Sequence, residues 1–191
     1  MSIERRTEME RQHENRRVRM TKQLMKDALL ELLEQQNLAN ISVTAICETA
    51  DVHRSTFYKY YTDPVALLME IEQDFLDRIP TPPKELNQQN QEQFLKVTTA
   101  YFDDVKENKK AYRILLGEST GNRFATRLVE YLCSGNIPVG GETDELTSCF
   151  VRLYIANGTV GMLREWVEKD CPVTSRKISE MMYFLSQKIA Y

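Results

Sequence analysis

Residues 41–61 of the chain read ISVTAICETADVHRSTFYKYY. Ser42 is typical of a helix N-cap, and a short helix is predicted from Val43 to about Ala50. A tight turn at Asp51-Val52 separates this helix from a second one, predicted from His53 to about Tyr60. The two helices share a small apolar set, at the spacing of a helix-turn-helix core, that consists of Val43, Ile46, Ala50, Val52 and Phe57.

The second of these helices is predicted to expose side chains that suit DNA. Arg54 can read guanine through two hydrogen bonds, and Thr56 can contact a base edge. Tyr and Lys side chains suit phosphates. The spacing alone is equally consistent with two ordinary packed helices whose polar face is merely solvated, because short motifs also occur by chance. The candidate DNA-binding residues are Thr44, Arg54, Ser55, Thr56, Tyr58, Lys59 and Tyr60.

Charge is unevenly distributed along the chain. The 191 residues have a formal net charge of −3, which disfavours non-specific nucleic-acid binding by the whole surface. Residues 16–62 nevertheless contain seven Lys and Arg against five Asp and Glu. This local positive excess favours contact with a polyanion in that segment.

Helical signals continue on both sides of this motif. Upstream, a stripe predicts a helix over residues 21–36, with apolar positions at Leu24, Ala28, Leu29, Leu32 and Leu33. Residues 1–15 are mostly polar, which favours a disordered or fraying arm, with a solvated helical extension as the alternative. Residues 16–62 are therefore assigned to the helix-turn-helix domain.

Downstream, Asp63 as N-cap and Pro64 at the first helical position predict a connecting helix over residues 63–79. The segment Pro80-Thr-Pro-Pro83 interrupts it, because prolines in succession cannot continue a helix. Residues 84–191 then form a second predicted helical domain. Its predicted helices cover residues 91–105, 110–116, 124–133, 144–169 and 175–191, with a loop at 136–141.

No segment shows convincing strand alternation. The predicted fold is therefore all-α, with an N-terminal three-helix helix-turn-helix domain and a C-terminal helical bundle. The chain has no leader-like apolar segment and no run long enough to span a bilayer, so we expect a cytoplasmic protein without membrane contact.

The helix predicted over residues 144–169 is apolar on two sides, so both are expected to be buried. One side consists of Leu146, Phe150, Leu153, Asn157 and Val160, and the other of Cys149, Ala156, Leu163 and Trp166. Gly158 and Gly161 each weaken a helix interior by about 1 kcal/mol, which close approach of a neighbouring backbone would offset. The last helix has a stripe suited to a partner helix, formed by Ile178, Met182, Leu185 and Ile189.

The sequence offers little for catalysis or metal binding. Its cysteines form no Cys-x-x-Cys pair, and its histidines are His13 and His53 alone. We therefore expect no metal, no cofactor and no enzymatic activity. The cysteines are read as small core residues: Cys47, Cys133, Cys149 and Cys171.

The segment from Thr21 to Leu67 resembles the DNA-binding domain of the TetR family of bacterial regulators. The resemblance rests on the Leu-rich first helix, Ile41-Ser42-Val43, Ala50-x-Val52, Arg54-x-Thr56-Phe57-Tyr58-x-x-Tyr61 and Leu67-Leu68. The later segment Tyr154–Trp166 resembles a subgroup common in Firmicutes, which includes regulators similar to the dihydroxyacetone-kinase operon activator.

Three positions depart from the family pattern. Asp51 stands where the family usually has Gly, but Asp tolerates a left-handed turn better than most residues. His53 replaces a Ser that caps the third helix. Pro64 replaces a Lys that often contacts phosphate, although backbone amides at that helix start can still face one.

The resemblance implies that residues 84–191 serve ligand binding and dimerisation. It also implies binding to double-stranded DNA at a palindromic operator, as a homodimer held by the last two helices. Packing of the two apolar stripes within one subunit is the alternative. Repression relieved by a small-molecule effector is the expected function, and a DNA-bound coactivator controlled by a protein partner is its alternative. Candidate pocket residues are Phe94, Tyr101, Tyr112, Phe124, Tyr131, Tyr154 and Trp166.

Overall fold

This computed structural model describes residues 2–81, 83, 89–136 and 144–190, with side chains except at 2–15, 135–136 and 189–190. The described residues form nine α-helices and no β-strand, which confirms the all-α fold. In chain order, the helices are α1 (Ser2–Leu33), α2 (Val43–Thr49), α3 (Arg54–Tyr60), α4 (Pro64–Leu76), α5 (Gln91–Glu107), α6 (Lys109–Leu116), α7 (Arg123–Tyr131), α8 (Glu145–Glu168) and α9 (Ser175–Ala190).

The observed bounds agree closely with the predicted helices, apart from α1 and the end of α4. α1 begins at Ser2, so the backbone of residues 2–15 has the helical form that was the alternative to a fraying arm. α4 ends at Leu76 rather than near Ile79, because Ile79 precedes Pro80 and that position disfavours helical geometry. Most of the predicted loop at residues 136–141 lies outside the described residues.

The chain divides into two compact units, Met1–Ile71 and Glu72–Tyr191. The division falls within α4, earlier than the proline-rich segment at which the sequence places it. The end of α4 packs into the second unit, where the fully buried Glu72 accepts a hydrogen bond from Arg127 of α7 at 2.7 Å. Phe75 lies 4.9 Å from the Tyr112 ring of α6.

The first unit is built on α1, which packs against α2. Its buried face departs from the predicted stripe at two positions. Leu24 is 50% exposed while the adjacent Met25 is fully buried, and Leu32 is only half-buried. The buried apolar side chains of α1 recur at helical spacing and are Met25, Ala28, Leu29 and Leu33.

In the second unit α9 packs mainly on α5, and α8 packs on α6 and α7. None of the helices in the described ranges is both long and apolar enough to cross a lipid bilayer. Within the same ranges, no cluster of three or more His, Cys, Asp or Glu side chains could hold a metal ion.

Candidate nucleic-acid interface

Backbone hydrogen bonds fix the turn between α2 and α3. α2 starts after Ser42, whose hydroxyl accepts from the Ala45 N–H at 3.1 Å, which confirms the predicted cap. The helix ends at Thr49, and Asp51, two residues further on, adopts the left-handed conformation with φ of 50°. The Val52 N–H then donates to the Cys47 carbonyl at 3.0 Å, as in a Schellman motif. Asp51 therefore supports the tight turn that the family usually builds with glycine.

A buried ring orients α3. Phe57 and Ile46 are fully buried, and the Phe57 ring lies 5.6 Å from the Tyr61 ring. Ala50 is also buried, and its small side chain lets α2 and α3 approach closely. Val43 and Val52, which were predicted in the same core, are only half-buried. Because Phe57 faces inward, the opposite side of α3 faces water.

The exposed side of α3 carries most of the predicted DNA-binding residues. Arg54, Ser55, Tyr58 and Lys59 are exposed, and Tyr58 is 59% exposed. Thr56, Tyr60 and Thr44 of α2 are half-buried. His53 precedes α3 and makes no capping hydrogen bond with its side chain. The structure thus places hydrogen-bond donors, a cation pair and an aromatic ring on one short helix.

Two lysines of α1 have a structural contact that the sequence did not reveal. Lys22 and Lys26 pair with Glu70 of α4 at 2.9 and 2.8 Å. Partial burial favours a higher pKa for Glu70, but the two ammonium groups outweigh it and hold that pKa below its usual value. These lysines therefore fasten α1 to α4, and the positive excess of residues 16–62 is smaller in the fold than in the sequence.

Tyr60 connects this ionic contact to α3. Its ring lies 5.7 Å from the Lys22 ammonium and 5.5 Å from the Lys59 ammonium. Cations over a tyrosine face are attracted by its negative potential. Tyr60 therefore positions Lys59 at the C-terminal end of α3, while Arg54 lies at the other end.

Asp63 caps α4, as predicted. Its carboxylate accepts from the Ala66 N–H at 2.8 Å, and this bond lowers the pKa of Asp63. Pro64 occupies the first helical position, where a missing N–H has no cost. The start of α4 is thereby fixed directly after the end of α3.

The seven aromatic pocket candidates lie in different surroundings. Tyr112 and Phe124 are fully buried, with their ring centroids 6.4 Å apart. Burial raises the pKa of Tyr112 to about 12, so its hydroxyl stays protonated at neutral pH. Tyr101 is half-buried, and its ring lies 6.4 Å from that of Tyr112. These three rings belong to one packed cluster.

The other candidates are spread across the second unit. Trp166 packs on Phe102 with ring centroids 5.3 Å apart, and Phe94 packs on Tyr183 at 5.5 Å. Tyr131 is half-buried and Tyr154 is 67% exposed. The structure therefore does not bring all seven side chains to one place.

Tyr154 belongs to an apolar surface on α8 and α9. The prediction that α8 is buried on both sides does not hold within one chain. On one predicted side Ala156, Leu163 and Trp166 are buried but Cys149 is exposed, and on the other only Val160 is buried. The exposed fractions are 66% for Leu146, 63% for Phe150 and 43% for Leu153, and 67% for the neighbouring Tyr154. On α9 the exposed apolar residues are Met181, Phe184 and Leu185. An open hollow of about 1200 Å³ lies between these helices, lined by Phe150, Tyr154, Gly158, Met162, Met182 and Leu185 among others.

The helical fold and the exposed donors of α3 define a DNA-binding regulator of the helix-turn-helix class. A family model named TetR_C_8, described as "Transcriptional regulator C-terminal region", matches residues 90–188, just over half of the chain. The chain therefore belongs to the TetR family of transcriptional regulators. A comparison with curated protein sequences gives no match.

Solved structures share this fold. A TetR transcriptional regulator from Streptococcus agalactiae 2603V is 19% identical, with a TM-score of 0.67 over 92% of this chain and 98% of that one. A TetR-family regulator from Syntrophomonas wolfei is 20% identical, with a TM-score of 0.62 over 89% and 94%. The dihydroxyacetone kinase operon activator DhaS is 19% identical, with a TM-score of 0.59 over 88% and 94%. The predicted family resemblance is confirmed.

Proposed function

We propose that this protein is a cytoplasmic, homodimeric repressor that binds a palindromic operator through α3 and is released by a small-molecule effector. The observation that carries this proposal is the presence of two unlike exposed surfaces. One is the polar face of α3, and the other is the apolar face of α8 and α9. The first suits the edges and phosphates of DNA, and the second suits a protein surface of the same kind.

The apolar face supports the homodimer. Soluble monomers rarely expose a contiguous apolar patch of this kind without a function. A methyl group built onto Gly158 or Gly161 would meet, beyond its own stretch of α8, no atom of the described residues within 4 Å, so the surface at these glycines is open. A second copy packed on α8 and α9 would cover Phe150 and Tyr154 and would come close to the glycine backbone.

Two copies of α3 in such a dimer support a palindromic operator. Symmetric reading helices bind two half-sites whose centres are about one DNA turn apart, or about 34–36 Å. We assign base reading to Arg54 and Thr56, and phosphate contact to Tyr58, Lys59 and Tyr60. Thr44 and Ser55 complete the proposed contact surface.

Release by an effector requires a pocket whose occupancy differs between two states of the protein. A small molecule releases DNA only if it binds one state of the protein more tightly than the other. Several of the ring candidates are packed against each other or against neighbouring rings, and the hollow on α8 and α9 belongs to the proposed dimer surface. This packing favours the alternative in which a protein partner controls a DNA-bound coactivator.

Selection from random double-stranded DNA tests the DNA and dimer parts together. The full-length protein should enrich inverted repeats, and light scattering should show two chains per recovered duplex. Enrichment of a single unrepeated site, or a monomer on the DNA, would contradict the proposal.

A reporter then separates the two candidate functions. The recovered operator is placed over the start of a promoter, and expression is measured with and without the protein. Repression supports the first candidate. Activation from an upstream operator position, without repression from the promoter position, would support the coactivator instead.

A further inference from the structure

The four cysteines fall into two groups. Cys47 and Cys171 are buried, as the sequence predicts for small core residues. Cys133 is half-buried and Cys149 is exposed, so neither serves as a core residue. Both of these accessible thiols belong to the second unit.

The packing of α7 and α8 brings the two accessible cysteines to the same end of a helix pair. Arg164, late in α8, donates a hydrogen bond to the Asn122 side chain at the start of α7 at 3.1 Å. α7 packs along α8, and the π-helical turn Leu132–Asn136 that follows α7 also packs on α8. The end of α7 therefore lies beside the first turns of α8, in an antiparallel arrangement. Cys133 is in that turn, and Cys149 is in the second turn of α8.

Cys149 and Arg152, both on the part of α8 near the turn after α7, influence the pKa of Cys133. Burial raises the pKa of the Cys133 thiol, the neighbouring Cys149 raises it further, and the Arg152 guanidinium opposes both. Cys149 and Arg152 are three residues apart and share one flank of α8. A second thiol and a cation therefore both act on Cys133, and the cation partly offsets the raised pKa.

We propose that Cys133 and Cys149 are a redox-active pair that forms a reversible disulfide within one chain when the protein meets a hydroperoxide. This site does not depend on the proposed repressor function. The disulfide would tie the turn after α7 to the beginning of α8. That part of α8 also carries Leu146 and Phe150 of the exposed apolar face.

The chemistry has two balanced steps. The exposed Cys149 thiolate attacks one oxygen of hydrogen peroxide, so an S–O bond forms, the O–O bond breaks, and the released hydroxide takes a proton from solvent and leaves as water. The Cys133 thiolate then attacks the Cys149 sulfur, so the S–S bond forms, the S–O bond breaks, and the second hydroxide takes a proton and leaves as water. Two thiols are oxidised and one peroxide is reduced.

The experiment uses the reduced full-length protein treated with hydrogen peroxide. We expect the chain to lose two of its four thiols, to remain uncrosslinked to other chains on a non-reducing gel, and to recover all four with dithiothreitol. Trypsin releases both cysteines on residues 128–152, because no Lys or Arg lies between them. The mass of that peptide should fall by two hydrogens. A glutamate-specific protease then cuts after Glu142 and Glu145 and should leave two linked peptides.

Variants and internal controls make the result decisive. Cys133→Ser and Cys149→Ser should each form no internal disulfide, and far-UV circular dichroism verifies that both fold. The buried Cys47 and Cys171 should keep their thiols at the same peroxide dose. A covalent dimer through Cys149, equal loss of the buried thiols, or four intact thiols at a dose that oxidises a free cysteine would each overturn the proposal.

Discussion

The two compact units bury similar kinds of side chains but expose opposite ones. The first unit covers Met25 and Phe57 completely and presents Arg54 and Lys59 to water. The second unit covers Tyr112 and Phe124 completely and yet leaves large apolar side chains exposed on α8 and α9. Since both cores are closed, the exposed residues rather than the cores distinguish the two units.

This difference indicates the kind of molecule that each unit contacts. Exposed hydrogen-bond donors and cations are well hydrated in the free protein, so their exposure does not destabilise it. A polyanion can later replace the water and counterions around them. Keeping the apolar surface of Phe150 and Tyr154 in water is unfavourable, and burying it would stabilise the protein by about 25 cal/mol for each Å² covered. The first surface is stable alone, whereas the second favours a protein partner.

The largest expected effect is on the apolar face. In a symmetric dimer, Phe150→Glu places one carboxylate from each subunit in the proposed apolar interface. If each copy costs about 2 kcal/mol, the dimer dissociation constant rises about a thousandfold. Sedimentation velocity across a concentration series measures this change. Gln93→Glu adds the same charge on an exposed position of α5 and should leave the dissociation constant unaltered.

Next in size is the effect on base reading. Arg54→Ala should weaken binding to the selected operator by about 1–3 kcal/mol and relax the preference for the base that Arg54 contacts. Gel-shift titrations against single-base operator variants measure both quantities. Equal losses on every base variant would show that Arg54 contacts the backbone and does not read sequence.

Substitutions at two helix caps in the first unit should change the free energy of unfolding in opposite directions. Ser42→Ala removes the acceptor for the Ala45 N–H and should lower the free energy of unfolding by about 1 kcal/mol. His53→Ser adds an acceptor where none is present and should raise it by up to about 1 kcal/mol. Urea unfolding followed by circular dichroism tests both changes.

A smaller effect is expected from a phosphate contact. Lys59→Ala should weaken binding to all DNA sequences alike and reduce the slope of log affinity against log salt by about one unit. Titrations at several salt concentrations give the slope. Lys96, an exposed lysine of the second unit, provides the control, and its replacement by Ala should leave the slope unchanged.

The smallest effect is a pH dependence at the start of α4. The hydrogen bond from Ala66 lowers the pKa of Asp63 in the folded state, so its charge stabilises the fold above the unfolded pKa of about 3.9. That stabilisation is lost as the pH falls through the lower folded value. Asp63→Asn keeps an acceptor without the charge, so the stability difference from the parent should shrink below about pH 4. Urea unfolding at several pH values measures it, and a stability difference that stays constant from about pH 7 to about pH 3 would contradict the prediction.

Local sequence signals predicted the helix-turn-helix well. The cap at Ser42, the left-handed Asp51 and the buried Phe57 depend on residues within a few positions of each other. The buried face of α1 was less predictable, because adjacent Leu24 and Met25 are both apolar and only the tertiary packing buries Met25 and leaves Leu24 exposed. The contact of Lys22 and Lys26 with Glu70 joins residues too far apart in sequence for any periodic pattern to reveal it.

The sequence by itself determined the family, the helices and the side chains of α3 that can face DNA. These features follow from periodicity, caps and turn chemistry, which act over a few residues. Only the tertiary structure decided which of the two apolar sides of α8 its own chain covers, and which cysteines lie beside each other. The reason is that a helical stripe shows which residues avoid water but not which neighbour covers them, and the neighbour depends on how distant segments pack.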